Sequence, residues 1–484
     1  MSRNCNDSLS EISTLFRQPL LLSDFEYYMF VDDRSSHPMV FVMVVFVDGC
    51  LQQLPFAEAV QESLNAHPLF RCQVRRLFPL SWAWKIQPES SEVLEWHSAE
   101  HPVQLNDPVR IRSIDLTRQC GVIVEVCHSV VSSRIVFYLH HACCDGIGGL
   151  QFISEVLARY GQKTAAAGEK RPDCEPPHAL SLLSREVFDT GKSATVRHQR
   201  SRGKIFGKIR RLLGRRPSVL LPLSPVSSDA TDRSAEAARA IQSRVLPRSI
   251  NSGLRAAALR NGVTVNDLCI REMLLQIHAW NLRSGKVRGN PWLRISVPVS
   301  MRTSEHQHLP ACNMVSYAFV TRRDSECLDE QKLLESIHQQ TEDVLFNRSG
   351  IVALRFLRLL RKIPGLMSLM LSLKSCFCTV VLANVGDVRK RFSGRFPLMD
   401  GKWKAGDVVV QHICGVAPVR PNTRAAVTIG EYAGDLSIHL RTDSTAIGPQ
   451  DSERFLEEFS ERLVRLAGST VDSSPGTLRD SVNS

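Results

Sequence analysis

The chain has 484 residues, a hydrophobic content of 43% and a formal net charge of +11. This length suits two domains of ordinary size with full apolar cores, and no charge-free apolar run reaches about 18 residues, so we expect no membrane-spanning helix. The chain opens on a polar stretch without the pattern of a secretory signal, and its 14 cysteines form no small-domain disulfide framework, which favours reduced thiols and a cytoplasmic location.

The first predicted half, residues 16–170, alternates strands and helices. Runs of β-branched and aromatic residues predict strands, and apolar residues at helical spacing predict helices. The predicted strands are residues 39–46, 122–127 and 135–139, and the predicted helices are residues 56–67 and the segment that follows Gly146. This alternation is typical of an α/β sandwich.

A histidine pair stands where the last of these strands gives way to the helix. The loop reads His140-His141-Ala142-Cys143-Cys144-Asp145-Gly146. Histidine can exchange a proton near neutral pH, and neighbouring strand residues point to opposite faces, so we expect one histidine to face the core and the other a cleft. Metal ligands must converge, and no zinc-spaced Cys or His pair occurs elsewhere, so we predict no metal site. Two hydrogen-bonded core histidines are the alternative interpretation.

Residues 171–240 are rich in Pro, Ser, Arg and Ala, and we interpret them as a crossover linker. Within this linker, residues 192–216 contain ten Lys or Arg and no Asp or Glu, so the rest of the chain has a formal net charge of only +1. Apolar residues at helical spacing predict a basic amphipathic insert that contacts an anionic membrane surface and stays outside the catalytic cavity. A solvated linker is the alternative. Nucleic acid is not favoured, because Phe206 is the insert's one aromatic residue and no reading motif is present.

The second predicted half, residues 241–468, again alternates strands and helices. The predicted strands are residues 241–246, 293–299, 314–321, 378–385, 425–430 and 435–442, and the predicted helices are residues 249–260, 264–280 and a closing helix around residues 455–466. Residues 469–484 are expected to form a disordered tail. We therefore predict the α/β class for both halves.

Two segments of this half allow alternative interpretations. Thr264 and Asp267 have the spacing of a helix capping box, so Asn266-Asp267 serves either the cap or the substrate. Residues 352–373 are amphipathic and are interrupted at Pro364-Gly365. One interpretation is a pair of core helices. The alternative is a functional surface, which is either a methionine-bearing wall for an acyl chain or a membrane-facing helix.

The pattern His-His-three residues-Asp-Gly resembles the signature of an acyltransferase superfamily. That superfamily includes chloramphenicol acetyltransferase, the condensation domains of nonribosomal peptide synthetases and the wax ester synthase/diacylglycerol acyltransferases. Further resemblances in the expected order are found at residues 19–30, 67–71, 262–267, 297–302, 312–315 and 380–386. Together they cover about residues 16–467. The chain departs from the pattern where the usual Ser-Asn reads Ala383-Asn384 and the usual Gly-Asn reads Cys312-Asn313.

This resemblance implies a fold of two chloramphenicol acetyltransferase-like α/β sandwich halves that form a V-shaped pseudodimer. It places His141, His140 and Asp145 in the catalytic loop, with His141 as the general base. It also implies that Asp145 pairs with an arginine, for which Arg302 is our candidate, and that Gly146 leaves room for a pantetheine arm. Asn384, Gly386 and Asn313 are the implied substrate-binding residues. No cofactor is implied, since the acyl thioester is a substrate.

The function implied by the resemblance is acyl transfer from a thioester, carried by coenzyme A or a carrier, to an alcohol acceptor of lipid-like character. The alternatives are an amide-forming condensation enzyme that acts on carrier-protein-bound substrates and a noncatalytic membrane-surface binding protein of the same fold. The expected partners are the small-molecule thioester and alcohol, an acyl carrier protein and an anionic membrane surface, but no nucleic acid. We expect a cytoplasmic monomer with peripheral membrane contact.

Overall fold

The structure of the protein is a computed structural model that describes residues 5–77, 81–87, 93–105, 107–186, 207, 210–212, 214–226, 241–346, 350–373 and 375–468. The expected tail at 469–484 and most of the basic insert, residues 192–206 together with 208, 209 and 213, lie outside the described residues. Residues 187–191 and 227–240 of the predicted crossover linker also lie outside them, whereas the predicted strands and the other predicted helices fall within them.

The helices and strands alternate along most of the chain. The helices are α1 (Cys5–Leu15), α2 (Asp24–Asp32), α3 (Gln53–Ala66), α4 (Gly146–Thr164), α5 (Arg248–Arg260), α6 (Val265–Arg283), α7 (Glu330–Phe346), α8 (Gly350–Arg361), α9 (Leu366–Ser372), α10 (Val388–Arg391) and α11 (Pro449–Gly468). The strands are β1 (Leu20–Leu21), β2 (Val40–Asp48), β3 (Cys72–Leu77), β4 (Ser81–Ile86), β5 (Leu94–Ser98), β6 (Val122–His128), β7 (Ser132–His140), β8 (Ile241–Leu246), β9 (Trp292–Ser300), β10 (Val315–Arg323), β11 (Val380–Asp387), β12 (Leu398–Met399), β13 (Lys402–Ala405), β14 (Val408–Val416), β15 (Ala425–Tyr432) and β16 (Asp435–Thr442).

Two large sheets organise the two halves. The first is a seven-stranded sheet in the order β12-β13-β14-β2-β7-β6-β5, and the second is a six-stranded sheet in the order β10-β9-β11-β15-β16-β8. A small three-stranded sheet, β1-β4-β3, accompanies the first. Both large sheets mix parallel and antiparallel pairs, so the protein belongs to the predicted α/β class.

Strand β2 shows why the first sheet forms as it does. Its sequence is almost wholly apolar, and every residue from Val40 to Val47 is buried. Such a run fits a central strand that is covered on both faces. Strand β7 pairs with it antiparallel in a register that sets Val40 opposite His140, which fixes the position of the histidine loop at the end of the sheet.

The C-terminal half contributes three strands to the N-terminal sheet. Strand β14 pairs antiparallel with β2, with Ile413 opposite Val45, and β13 and β12 extend the sheet from β14. The predicted boundary of the C-terminal half, residues 241–468, did not anticipate that strands of this half join the other sheet. The sheet that a strand joins depends on long-range pairing, which local sequence patterns do not report. This pairing joins the halves beside the histidine loop.

Helices α8 and α9 form the predicted interrupted pair. The break falls at Pro364-Gly365, where Gly365 has a φ of 76°, a conformation that favours glycine. Leu354, Leu357 and Met367 are buried in the core, as the core-helix interpretation predicts. The outer side of the pair exposes the large apolar side chains of Leu359, Ile363, Leu369 and Leu373.

Among the described residues, no helix combines the length and the apolar character needed to cross a membrane.

Candidate active site

The histidine loop is held between a strand and a helix. Strand β7 ends at His140, and α4 begins at Gly146 with Asp145 as its N-cap. The Gly148 amide donates a 2.8 Å hydrogen bond to Asp145 Oδ1, which satisfies one of the free amides that a helix start exposes. The His141 amide donates to the carbonyl of Met39, so the loop is also tied to the residue that precedes β2.

The two histidines have different environments, as the strand geometry predicts. The His140 ring is fully buried, its Nδ1 accepts a 3.0 Å hydrogen bond from the Ala142 amide, and its Nε2 lies 3.7 Å from a carboxylate oxygen of Asp33. His140 does not line the cavity described below. The expectation that His140 belongs to the catalytic residues is therefore corrected. His140 and His141 face opposite sides at the strand end, and the buried His140 ring stabilises the loop.

His141 faces a cavity between the two halves. Its ring is half-buried and lies 5.3 Å from the Phe41 ring and 6.1 Å from the Phe25 ring, centroid to centroid. Burial lowers the pKa of His141, and the opposing effects of its own backbone carbonyl and of the Asp145 charge do not restore it. Nδ1 is the buried ring nitrogen. Burial therefore favours the neutral form of the ring, which is the state that accepts a proton.

The Asp145 carboxylate is occupied by other partners. Its Oδ2 accepts hydrogen bonds from Arg302 Nη1 at 2.6 Å and from the Met314 amide at 2.8 Å. Burial would raise the pKa of Asp145, but the charge and hydrogen bonds of Arg302, together with the Gly148 and Met314 amides, hold it below the ordinary value. Arg302 is thus the arginine that pairs with Asp145, and the carboxylate locks the loop rather than orienting the His141 ring.

Asn313 completes this lock. Its Nδ2 donates to the carbonyls of His141 at 2.7 Å and of Ala142 at 2.9 Å, while Arg302 Nη2 donates to the Cys312 carbonyl at 2.9 Å. Asn313 is buried and does not line the cavity, so the expectation of a substrate-binding role is wrong. Its amide group holds the backbone that directly follows the His141 side chain.

The cavity has a volume of 710 Å³, which is in the usual range for ligand sites. Most of its lining is apolar and aromatic, with contributions from β2, β9, β10, β11, α8 and α9. The α8–α9 pair supplies Phe356, Leu357, Met370 and Leu371, so it is a wall of the cavity as well as a core element. Five exposed residues occur in the lining, and they mark where the cavity meets solvent: Arg211, Ser300, Asp343, Asn384 and Arg391.

Asn384 and Gly386 differ in their relation to this cavity. Asn384 lines it, and its Oδ1 accepts a 2.9 Å hydrogen bond from the Gly386 amide. Gly386 does not line the cavity, which corrects its assignment as a substrate-binding residue. It has a φ of 69° and lies at a register shift between β11 and β15, so its role is to bend the strand after Asn384.

The loop glycines allow a direct test of the space beside His141. A Cβ at Gly146 would meet no atom within 4 Å, and Gly146 lines the cavity, whereas a Cβ at Gly148 would lie 3.1 Å from the Cys312 carbonyl oxygen. We expect Gly146→Leu to keep the free energy of unfolding and to lower kcat/KM at least tenfold by filling the cavity. Gly148→Leu, the matched control, should lower stability by overpacking, about 1–3 kcal/mol. Urea unfolding and steady-state kinetics measure both, and full activity of Gly146→Leu would contradict the placement.

Sequence reasoning missed several residues of the lining. Arg420 pairs with the buried Asp32 beside Tyr28, and His439 lines the cavity with its Nδ1 2.8 Å from the Ser243 hydroxyl oxygen. Burial lowers the pKa of His439 to about 3, so this ring is neutral. These residues come from separate strands and loops, and no local sequence pattern predicts that they line a cavity. The Asn266-Asp267 pair, in contrast, lies outside the lining, and Asp267 forms the predicted capping box with Thr264.

The sequence matches no protein-family model. Two uncharacterized proteins of Mycobacterium tuberculosis, from strains CDC 1551 / Oshkosh and ATCC 25618 / H37Rv, are each 26% identical to this chain over 324 residues, which is 65% of this chain and 69% of theirs.

Two solved structures share the fold across nearly the whole chain. A trichothecene 15-O-acetyltransferase from Fusarium sporotrichioides is similar with a TM-score of 0.67 at 12% identity, covering 93% of this chain and 94% of that one. The first condensation domain of the CDA synthetase is similar with a TM-score of 0.63 at 14% identity, covering 93% of this chain and 96% of that one. The chain therefore has the two-half α/β fold of the condensation domains and acyltransferases, and the predicted fold class is confirmed.

Proposed function

We propose that this protein is an acyltransferase that moves an acyl group from an acyl thioester to an acceptor hydroxyl, with His141 as the general base. The observation that carries the proposal is the position of the His141 imidazole at the wall of a cavity between the halves, on a loop locked by Asp145, Arg302 and Asn313, where burial lowers the pKa of the ring. A base must be deprotonated at working pH and held in place, and this arrangement supports both.

In the proposed reaction, the acyl group passes directly from the thioester to the acceptor beside His141. The free ring nitrogen, Nε2, accepts the proton of the acceptor hydroxyl as its oxygen attacks the thioester carbonyl. The tetrahedral intermediate collapses with cleavage of the carbon–sulfur bond, and the departing thiolate takes the proton from the imidazolium. The products are an ester and a free thiol, and no group on the protein is acylated.

The thiols near the loop do not fit the role of a covalent nucleophile. Cys143 and Cys144 are fully buried, and burial raises the pKa of both well above the ordinary value. Burial likewise raises the pKa of Cys378 and Cys414, the cysteines of the cavity lining, the latter to about 12. A protonated thiol is a poor nucleophile, so direct attack by the acceptor is favoured.

The acceptor class rests on two observations. The acetyltransferase with the same fold acts on an oxygen, according to its name. The apolar lining, with Phe356, Leu357, Met370 and Leu371, suits a long hydrocarbon chain and therefore a lipid-like alcohol or acyl group. Carrier-bound amine acceptors, as in condensation domains, are the competing class. A panel of alcohols and amines with acyl-coenzyme A donors, followed by release of free thiol, decides between them.

A direct transfer requires both substrates to be bound at once. We expect sequential kinetics, with double-reciprocal lines that intersect, and no labelled protein after incubation with a radiolabelled acyl donor alone. Steady-state kinetics with both substrates varied and mass spectrometry of the protein measure these two properties. Parallel lines together with a mass increase of one acyl group would show an acyl-enzyme and overturn this mechanism.

A further inference from the structure

The C-terminal end of the basic insert is fixed to the sheet of the second half. Buried Arg294 on β9 donates from Nη2 to the carbonyls of Leu212 at 2.9 Å and of Arg215 at 2.6 Å, and from Nη1 to the carbonyl of Phe377 at 2.9 Å. The Arg215 guanidinium lies over the Trp292 ring, 4.4 Å from its centroid. This part of the insert is therefore part of the structure that surrounds the cavity.

Arg211, Leu212 and Arg215 line the cavity that contains His141. The expectation that the insert stays outside the catalytic cavity is wrong for this end of it, because Arg294 draws the chain onto β9. Arg211 is exposed, whereas Arg215 is half-buried, so the two guanidinium groups lie at the border between the cavity and solvent.

The charges at this end are not balanced by bound carboxylates. Within the described residues, Arg211, Arg215 and Arg294 make no ion pair with a carboxylate within 4.0 Å, although the lining of the same cavity includes the acidic residues Asp145, Asp343 and Glu431. Burial lowers the pKa of Arg294 to about 10, and the positive charge of Arg215 acts in the same direction. Because Arg294 uses its donors on backbone carbonyls and on Thr321, Arg211 and Arg215 are the guanidinium groups at this end that can attract an anion.

The distance from these arginines to the histidine loop is set by β9 and β10. The side chains of Arg294, Ser296, Pro298 and Ser300 line the cavity in sequence, and Ser300 lies opposite Val315 beside the Arg302–Asp145 pair. Six residues of strand separate Arg294 from Ser300, which corresponds to about 20 Å. A ligand with an anionic end at the arginines and its reacting group at His141 must therefore carry a long, thin arm.

We propose that Arg211 and Arg215 bind the phosphate groups of a phosphopantetheine thioester and so define this opening as the donor entrance. The inference rests on the proposed function, which supplies the thioester. Phosphopantetheine has a phosphate at one end and a thiol at the other end of an extended arm, which matches the separation of the two sites. Coenzyme A and a carrier protein share this chemistry, and the arms of the experiment distinguish them.

The test measures binding of coenzyme A, dephospho-coenzyme A, phosphate-free pantetheine and a phosphopantetheine-loaded acyl carrier protein by isothermal titration calorimetry. The variants are Arg211→Ala, Arg215→Gln and the double variant, and Arg216→Ala, an exposed neighbour outside the lining, is the matched control. We expect each single variant to weaken coenzyme A binding about tenfold, since a charged hydrogen bond is lost. Pantetheine binding should not change, and Arg216→Ala should bind as the wild type does.

The arms give distinct outcomes. A loss confined to coenzyme A indicates the nucleotide phosphates, and a loss for both coenzyme A and the loaded carrier indicates the phosphate next to pantetheine. The inference is overturned if the folded double variant binds coenzyme A and the loaded carrier protein with unchanged affinity. It is also overturned if the variant loses affinity tenfold for anionic lipid micelles but for neither coenzyme A nor the loaded carrier protein. Binding is measured without turnover, so the two proposals can fail separately. If ligand binding depends on the arginines but no acyl transfer is found, only the proposed function is rejected. If acyl transfer depends on His141 but ligand binding does not depend on the arginines, only this inference is rejected.

Discussion

Alanine in place of His141 should remove nearly all acyl transfer while the protein stays folded. The loss of a general base lowers kcat typically 10²- to 10⁴-fold, and the ring lines a cavity, so its removal leaves little unfilled core. Release of free thiol from an acyl-coenzyme A donor measures the rate, and urea unfolding measures the fold. The same assay across pH should show kcat/KM falling only below about pH 6.5, because burial lowers the pKa of His141 beneath the ordinary histidine value.

His140→Ala is the matched control for that experiment. Its Nδ1 accepts the Ala142 amide in a buried setting, so the variant should lose about 1–3 kcal/mol of unfolding free energy. Its remaining folded fraction should keep far more activity than His141→Ala. If His141→Ala turned over at nearly the wild-type rate, the proposed mechanism would have to be abandoned.

Breaking the Asp145–Arg302 pair should cause the largest loss of stability of any single charge change in the loop. The Asp145 side chain is buried and that of Arg302 is half-buried, with exposures of 4% and 14%, and removal of one partner leaves an uncompensated, largely buried charge that costs about 3–5 kcal/mol. Asp145→Asn keeps the helix-cap acceptor, so it isolates the charge from the cap. Arg302→Gln should lose a similar amount, and the double variant should lose less than the sum of the two.

The pH dependence of this contribution follows from the pKa of Asp145. That pKa is lowered in the folded state, so the stabilisation is complete above the ordinary aspartate pKa and is lost as the pH falls through the folded value. We expect no change in the Asp145 contribution between pH 5 and 8. Glu461→Gln, which disrupts an exposed pair on α11, is the control and should leave the urea midpoint nearly unchanged. A double-mutant cycle with no coupling between Asp145 and Arg302 would refute this account.

Local patterns in the sequence predicted much of the fold. All six strands of the second large sheet and the long helices α3, α4, α5, α6 and α11 follow from apolar periodicity. The elements that were missed are strands β1, β3, β4, β5, β12, β13 and β14 and helices α1, α2, α7 and α10. Several of these are short or carry polar residues on the exposed face, and their strand or helix state depends on the partners that cover them.

Residue patterns alone were enough to predict the α/β class, the position of the histidine loop between a strand and a helix, and the opposite orientations of His140 and His141. These properties are local, since side chains alternate along a strand and a helix start needs a cap. Three other features became visible in the folded chain: β14 joins the N-terminal sheet, Asn313 holds the histidine loop, and Arg211 and Arg215 reach the cavity. Each of these depends on contacts between residues far apart in the chain, and such contacts arise from packing and pairing energies that no short stretch of sequence contains.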